Sequence, residues 1–286
     1  MEPTAELVRT LLAEQFPRWS DLSVTPVARQ GNDNRTFRLG DGLAARLPAG
    51  PGYAAAVVKE DRWLPVLARH TTVALPEVVA TGSPGAGYAH PWSVRRWLPG
   101  AALPDAGAVD DAQLGVDLGR FVRELHRTPA TGGPAAGVHS SRRGEHPSCY
   151  DAEVRDSLVR LGDAVDRAAG EAIWARALVT SWEGDPVWFH GDLAPGNLLL
   201  RDGRLAAVID LGTCGVGDPA CDLVVAWTTL GDAGRAALRD AVDLDAGTWA
   251  RARGWALWKA LVTGTDSPLH AEQQRALDAL LGDPSM

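Results

Sequence analysis

Apolar positions along this chain change their spacing several times, and each change predicts a different kind of element. Leu7, Val8, Leu11, Leu12 and Phe16 recur at helical spacing over residues 5–16. Residues 24–28, 36–39 and 43–47 are instead short apolar runs divided by glycine-bearing turns, and they predict three strands. A helical stretch over 54–69 follows, with Pro65 expected to kink it or split it in two. Two further strands are predicted at 78–81 and 92–97, the second ended by Leu98-Pro99-Gly100. The first hundred residues therefore read as a small, mostly antiparallel sheet with helices on it.

Beyond residue 110 the spacing is mostly helical. Asp110 and Gln113 stand where a capping box would begin a helix whose face is Leu114, Leu118, Phe121 and Leu125. Residues 128–147, rich in Gly, Pro, Ser and charge, predict a long loop. Helical spacing returns at Val154, Leu158, Leu161 and Val165, and again over 173–182. Val187-Trp188-Phe189, Leu198-Leu199-Leu200 and Leu205-Ala206-Ala207-Val208-Ile209 then read as three short buried strands. Asp218-Pro219 supplies a cap and a first-turn proline for a helix through Trp227, and later helices include one carrying Trp249, Trp255 and Trp258.

Composition changes this picture little. With 286 residues, 45% hydrophobic and 22% charged, the chain has the make-up of an ordinary globular protein, with room for one large domain or two lobes. Its apolar stretches fall short of a membrane span, and Met1-Glu2-Pro3-Thr4 does not resemble a secretion signal. Three cysteines without a CxxC pair fit a reducing compartment, so a cytoplasmic location is expected. A net charge of -8 argues against nonspecific nucleic-acid binding. The excess is uneven: residues 181–286 hold 15 acidic against 8 basic side chains. That imbalance reads either as a solvated surface or as a field that attracts a cationic substrate.

The chemistry concentrates at the strand ends of the same region. His190-Gly191-Asp192-Leu193-Ala194-Pro195-Gly196-Asn197 and Asp210-Leu211-Gly212 place two carboxylates and a carboxamide on short loops. A base that orients a hydroxyl, together with oxygen ligands for magnesium, is the inventory phosphoryl transfer requires. The chain contains no GxxxxGK[ST] and no GxGxxG, and it has no HExxH or paired CxxC for zinc.

HGDxxPxN followed by IDxG at this spacing resembles the aminoglycoside phosphotransferase family, which has a shortened protein-kinase fold. The resemblance implies an α+β, two-lobed, protein-kinase-like fold. Its N-lobe, residues 1–98, would be a small antiparallel sheet with helices that covers the nucleotide. Its C-lobe, residues 99–286, would be larger, mostly helical, and hold the catalytic loop, the metal site and the acceptor pocket. It implies that Asp192 is the catalytic base, that Asn197 and Asp210 hold Mg2+, and that ATP or GTP is the co-substrate. His190 would brace the loop, and Asp222, one turn into the helix that Asp218 caps, would either accept N–H bonds from that loop or face solvent.

In the N-lobe, Gly31, Asn32 and Asn34 fall in the loop over the nucleotide phosphates. The family's phosphate-binding lysine falls at Arg46, a departure from the commoner pattern, with Glu60 as its partner and Lys59 as an alternative cation. Arg96, Trp97 and Leu98 match the hinge that binds the nucleobase. Cys214 and Cys221 read as small buried residues near the metal loop. The implied partner is a small-molecule antibiotic acceptor, with no nucleic acid and no membrane, and with the oligomeric state left open. A cationic aminoglycoside or a basic peptide antibiotic of the viomycin–capreomycin kind suits the acidic excess. A sugar or amino-alcohol kinase, a macrolide kinase and a nucleotide-binding pseudokinase are the alternatives. A protein kinase is disfavoured because HG rather than HR precedes Asp192 and no APE-like segment follows Gly212.

Overall fold

The computed structural model of the chain describes residues 2–263 and 270–282. They form two compact units, Met1–Pro99 with Ala207–Gly212, and Gly100–Ala206 with Thr213–Met286.

In the first unit, α1 (Ala5–Gln15) starts at Thr4, whose hydroxyl accepts the Leu7 N–H at 3.2 Å. Its buried face, Leu7, Val8, Leu11 and Leu12, shares a core with Phe37, Leu39, Trp92 and Val94 of the adjoining sheet. Full burial of each such aliphatic side chain contributes about 1.5–3 kcal/mol. The sheet comprises β1 (Val24–Pro26), β2 (Asn34–Leu39), β3 (Leu43–Pro48), β4 (Val78–Gly82) and β5 (Trp92–Arg96), ordered β1-β2-β3-β5-β4 with every neighbouring pair antiparallel. Because β3 is central and buried along its whole length, its sequence shows no alternation. Between β3 and β4 lies α2 (Ala54–Leu67), which runs through Pro65 without splitting. Pro65 stands in its last turn, where a missing N–H removes little of the ladder.

The second unit begins with β6 (Ala101–Ala102) and α3 (Asp111–Arg127). Asp110 caps α3 by accepting the Gln113 N–H at 3.0 Å, but the Gln113 amide turns inward to Asp117 at 3.1 Å, so only half of the capping box forms. α4 (Asp151–Leu161) and α5 (Arg167–Leu178) follow; α5 stops short of Trp182, whose indole N–H donates to the Asp185 carbonyl at 3.0 Å. Next come β7 (Val187–Phe189), β8 (Leu198–Arg201), β9 (Arg204–Val208, whose last two residues count with the first unit) and β10 (Gly215–Gly217), paired as β10-β7 and β6-β8-β9. Asp218 accepts the Ala220 N–H at 2.9 Å, as a cap should, but Pro219–Val224 winds as a tight 3-10 helix before α6 (Val225–Thr228) takes over. α7 (Asp232–Val242), α8 (Ala246–Val262) and α9 (His270–Leu281) complete the unit. α3 and α7 approach backbone to backbone: a Cβ on Gly115 would stand 2.1 Å from the Gly234 carbonyl oxygen. α8 is buried on nearly every side, which places its tryptophans inside the unit. No described helix is long and apolar enough to cross a membrane.

Candidate active site

Arg46 sits on β3, opposite Thr36 of β2 and Ser93 of β5, in the middle of the sheet. A guanidinium only 8% exposed is costly unless its charge and donors are matched. Here Nη1 donates to Glu60 Oε1 at 3.1 Å and Nη2 donates to Asp210. The Asn34 amide oxygen, oriented by the donors around it, accepts from Nη2 at 2.8 Å and Nε at 3.2 Å. Glu60, on α2 and 1% exposed, takes Arg95 Nη2 on its other oxygen at 3.1 Å. Burial pushes the Glu60 carboxyl up, but Arg46, Arg95 and the Leu211 N–H outweigh it and hold the group at about 2. Arg46 is held above its ordinary value: burial works against its charge, and Asp210 and Glu60 more than restore it. Asp210 adopts φ +65, a left-handed conformation that aspartate tolerates better than most residues.

The loop before β2 is shaped by Gln30 rather than by glycine. Its amide exchanges two 2.9 Å hydrogen bonds with the backbone of Thr36, as a strand partner would. A Cβ on Gly31 would meet only the Asn34 carbonyl, at 3.8 Å, so nothing there demands glycine. Gly31 and Asn32 are exposed, whereas Asn34 is buried against Arg46. At the hinge, the Arg96 N–H donates to the Glu77 carbonyl and the Trp97 N–H to the Gly42 carbonyl, both at 2.9 Å. The Arg96 side chain pairs with the Glu77 carboxylate at 3.2 Å, and the Arg38 guanidinium covers the Trp97 ring at 4.7 Å. Leu98 lies outside these pairs.

In the second unit, β7 delivers His190 into the core at 0% exposure. Its Nδ1 accepts the Asp192 N–H at 3.1 Å, and its carbonyl accepts the Thr213 hydroxyl at 2.9 Å. Asp222 is also fully buried, and its two oxygens accept the N–H groups of His190 at 2.8 Å and Gly191 at 2.7 Å. Of the two positions the sequence allowed for Asp222, the solvent-facing one is thus ruled out. Burial keeps the Asp222 carboxyl above its ordinary value, with His190 and the two N–H groups opposing. Gly191 has φ +84, and a Cβ there would lie 3.0 Å from the Thr213 hydroxyl, so both backbone and space require glycine.

Asp192 has a side chain 35% exposed, with Oδ1 held by Lys259 Nζ at 3.0 Å. Burial pushes its carboxyl up, but Lys259 and Arg143 pull it below the usual carboxylate range. The Asn197 Nδ2 donates to the Asp192 carbonyl at 2.9 Å, which leaves the Asn197 amide oxygen as the atom it can present to a cation. Cys214 and Cys221 are buried and unpaired with each other, as their sequence context suggests.

Lys259 and Arg143 were missed by sequence reasoning. Lys259 lies 67 residues beyond Asp192 on a tryptophan-rich helix, with no motif around it. One signal was available: among 28 basic residues, lysine occurs only at 59 and 259.

Comparisons with known proteins agree with this layout. A family model described as the APH phosphotransferase enzyme family matches residues 23–255, well over half of the chain. An aminoglycoside 3'-phosphotransferase of Escherichia coli is 29% identical over 148 residues, 48% of this chain and 53% of that protein. The chain thus spans about half the length of the curated relatives it matches. A solved GDP complex of aminoglycoside 2'-phosphotransferase-IIIa superposes with a TM-score of 0.72 at 18% identity, covering 98% of this chain and 99% of that one. The apoenzyme of a macrolide 2'-phosphotransferase from Brachybacterium faecium gives a TM-score of 0.60 at 25% identity, covering 99% and 98%. Likeness over nearly the whole of each chain shows the kinase-like fold that the motifs implied, an antiparallel N-terminal sheet followed by a helical remainder. On the extent of the family match, the chain belongs to the APH phosphotransferase enzyme family.

Proposed function

We propose that this protein transfers the terminal phosphoryl group of ATP or GTP to a hydroxyl of a small-molecule antibiotic. The observation that carries the reading is the His190–Asn197 loop, in which a solvent-reachable Asp192 follows a backbone pinned by buried Asp222 and His190. The acceptor oxygen attacks the γ-phosphorus as the bond to the bridging oxygen breaks, and the nucleoside diphosphate leaves with the bonding electrons. The hydroxyl proton passes to the Asp192 carboxylate. Because that carboxylate is a weak base, its main contribution is to orient the hydroxyl.

Arg46 offers the phosphates a positive charge fixed by Glu60, the exposed Gly31 and Asn32 cover them, and the Leu98 backbone meets the base. Asn197 and Asp210 would each offer an oxygen, the donor type that suits magnesium. No group of three or more His, Cys, Asp or Glu gathers as a cage among the described residues, and magnesium needs none, because phosphates and water complete its shell. When bound, magnesium supplies charge that neutralises the phosphate oxygens.

The names of the relatives support an antibiotic acceptor, and the GDP complex supports a nucleotide donor. The expected positive charge on the acceptor rested on the acidic excess after residue 180. Two of those carboxylates serve the backbone, Asp222 on the loop N–H groups and Asp245 as the cap of α8, while the pairs Asp218–Arg251 and Asp232–Arg235 leave the excess as it was. Aminoglycosides, peptide antibiotics, macrolides and simple sugars screened for nucleotide-dependent gain of one phosphate will identify the acceptor. Asp192→Asn should lower that turnover by roughly 10²–10⁴-fold and leave nucleotide binding within a few-fold. Turnover retained within a few-fold of the parent removes Asp192 from the assigned role.

A further inference from the structure

The backbone of Asp192 and its side chain are held by different parts of the second unit. The main chain is fixed locally: His190 Nδ1 accepts the Asp192 N–H at 3.1 Å, and the Asn197 amide donates to the Asp192 carbonyl at 2.9 Å. Side-chain torsions separate that backbone from the carboxylate, and neither contact restrains them. The restraint comes from 67 residues away, where Lys259 Nζ donates to Oδ1 at 3.0 Å. Oδ2 has only a long 3.5 Å contact from the Asn197 amide. Lys259 is itself well seated. It stands in the last turn of α8, where the helix dipole favours a cation, and its side chain is 18% exposed. Trp255 and Trp258, both buried, line the cleft around it. Trp258 is held by stacking on Tyr150 at 4.2 Å and by donating to Glu153 at 2.8 Å. The cleft has room for about one water, so it houses the lysine arm rather than a substrate. Glu272 on α9 also attracts the ammonium, yet the hydrogen bond Lys259 makes goes to Asp192.

We infer that Lys259 is a positioning residue for phosphotransfer: by holding Oδ1 it leaves Oδ2 turned to the acceptor hydroxyl. It acts through the Asp192 carboxylate alone. The identity of the cation fits this role. A guanidinium fork at 259 could engage both carboxylate oxygens, whereas an ammonium is a point charge that takes one and leaves the other open. The inference rests on the phosphotransfer reading for the role of Asp192.

Magnesium-dependent release of ADP or GDP by the full chain, with water, kanamycin or erythromycin as the acceptor, supplies the readout. Lys259→Met should lower kcat roughly ten- to a hundredfold while the nucleotide KM stays within about threefold, because a misdirected carboxylate costs rate and not nucleotide affinity. Lys259→Arg keeps the charge, and it serves as the second variant if the methionine one fails to fold. It should remain at least about fivefold below the parent, since its fork occupies the oxygen the acceptor needs. Added to Asp192→Asn, either substitution should cost less than about a further twofold, as one acting only through that carboxylate must. A lysine that merely supports the fold would multiply the two losses instead. Such multiplication overturns the inference, as does a methionine variant within about threefold of the parent or an arginine variant as fast as the parent. Failure of phosphotransfer itself shows differently: the parent releases no diphosphate, or Asp192→Asn is as fast as the parent, and the role of Lys259 falls with it.

Discussion

Glu60 in the first unit and Asp192 in the second are both carboxylates held below their ordinary range by a basic neighbour, yet they are built to opposite ends. Glu60 is sealed from solvent and gives each oxygen to a different arginine. Asp192 keeps a third of its side chain exposed and gives one oxygen to a single lysine, while the other has only a long 3.5 Å contact from the Asn197 amide. A saturated carboxylate can only hold other groups in place; one that is half engaged can accept a new hydrogen bond. The chemistry therefore belongs at the incompletely paired member, and rigidity at the completely paired one.

Removing the sealed carboxylate should have the larger effect on stability. Glu60→Gln removes the carboxylate that Arg46 and Arg95 share and leaves each only its outer partner, Asp210 for the first and Asp61 for the second, and it should cost about 3–5 kcal/mol in urea unfolding at neutral pH. The parent should also show an acid slope that the variant lacks. With a folded value of about 2 against an ordinary 4.5, the stabilisation from Glu60 is complete above pH 4.5 and disappears as pH falls towards 2. A loss below 1 kcal/mol at neutral pH would erase the distinction between the two sites. Asp222→Asn comes next, because an amide must point its NH₂ at one of the two loop N–H groups. About 1–3 kcal/mol of stability should go with that lost bond, along with a fall in kcat that exceeds any change in nucleotide KM. Equal changes in both would mean that the loop does not depend on Asp222. Arg46→Lys should be mildest: it keeps the charge but loses the fork shared by Glu60, Asp210 and Asn34, and should weaken nucleotide binding about three- to tenfold in a fluorescence titration.

What could be read from the sequence follows the same division between local and distant causes. The strands of the first unit, the Asp110 and Asp218 caps and the His190–Asn197 loop are set by residues near one another in the chain, and their patterns show. The 3-10 winding of Pro219–Val224 and the early end of α5 do not, since turn pitch and helix ends yield to packing. The position of Asn34 in the chain gives no sign of the contact its side chain makes with Arg46, a strand away. Lys259 and Arg143 reach Asp192 only through the packing of α8 and the long loop before α4, and no spacing rule relates them. The acidic excess is silent about the acceptor for a related reason. Net charge counts a capping aspartate and a pocket aspartate alike, and only the fold separates them.

The hydrogen bond from Asn197 to the Asp192 carbonyl restricts evolution at that position. A divalent cation would be held more strongly by a full negative charge, and aspartate is the same size as asparagine. An aspartate at 197, however, would set an anionic oxygen against the carbonyl oxygen that the amide now satisfies. The gain in metal affinity would be offset by distortion of the loop that carries Asp192. A neutral ligand is therefore what this backbone permits, and sequence drift at 197 is closed off by a contact that involves no metal at all.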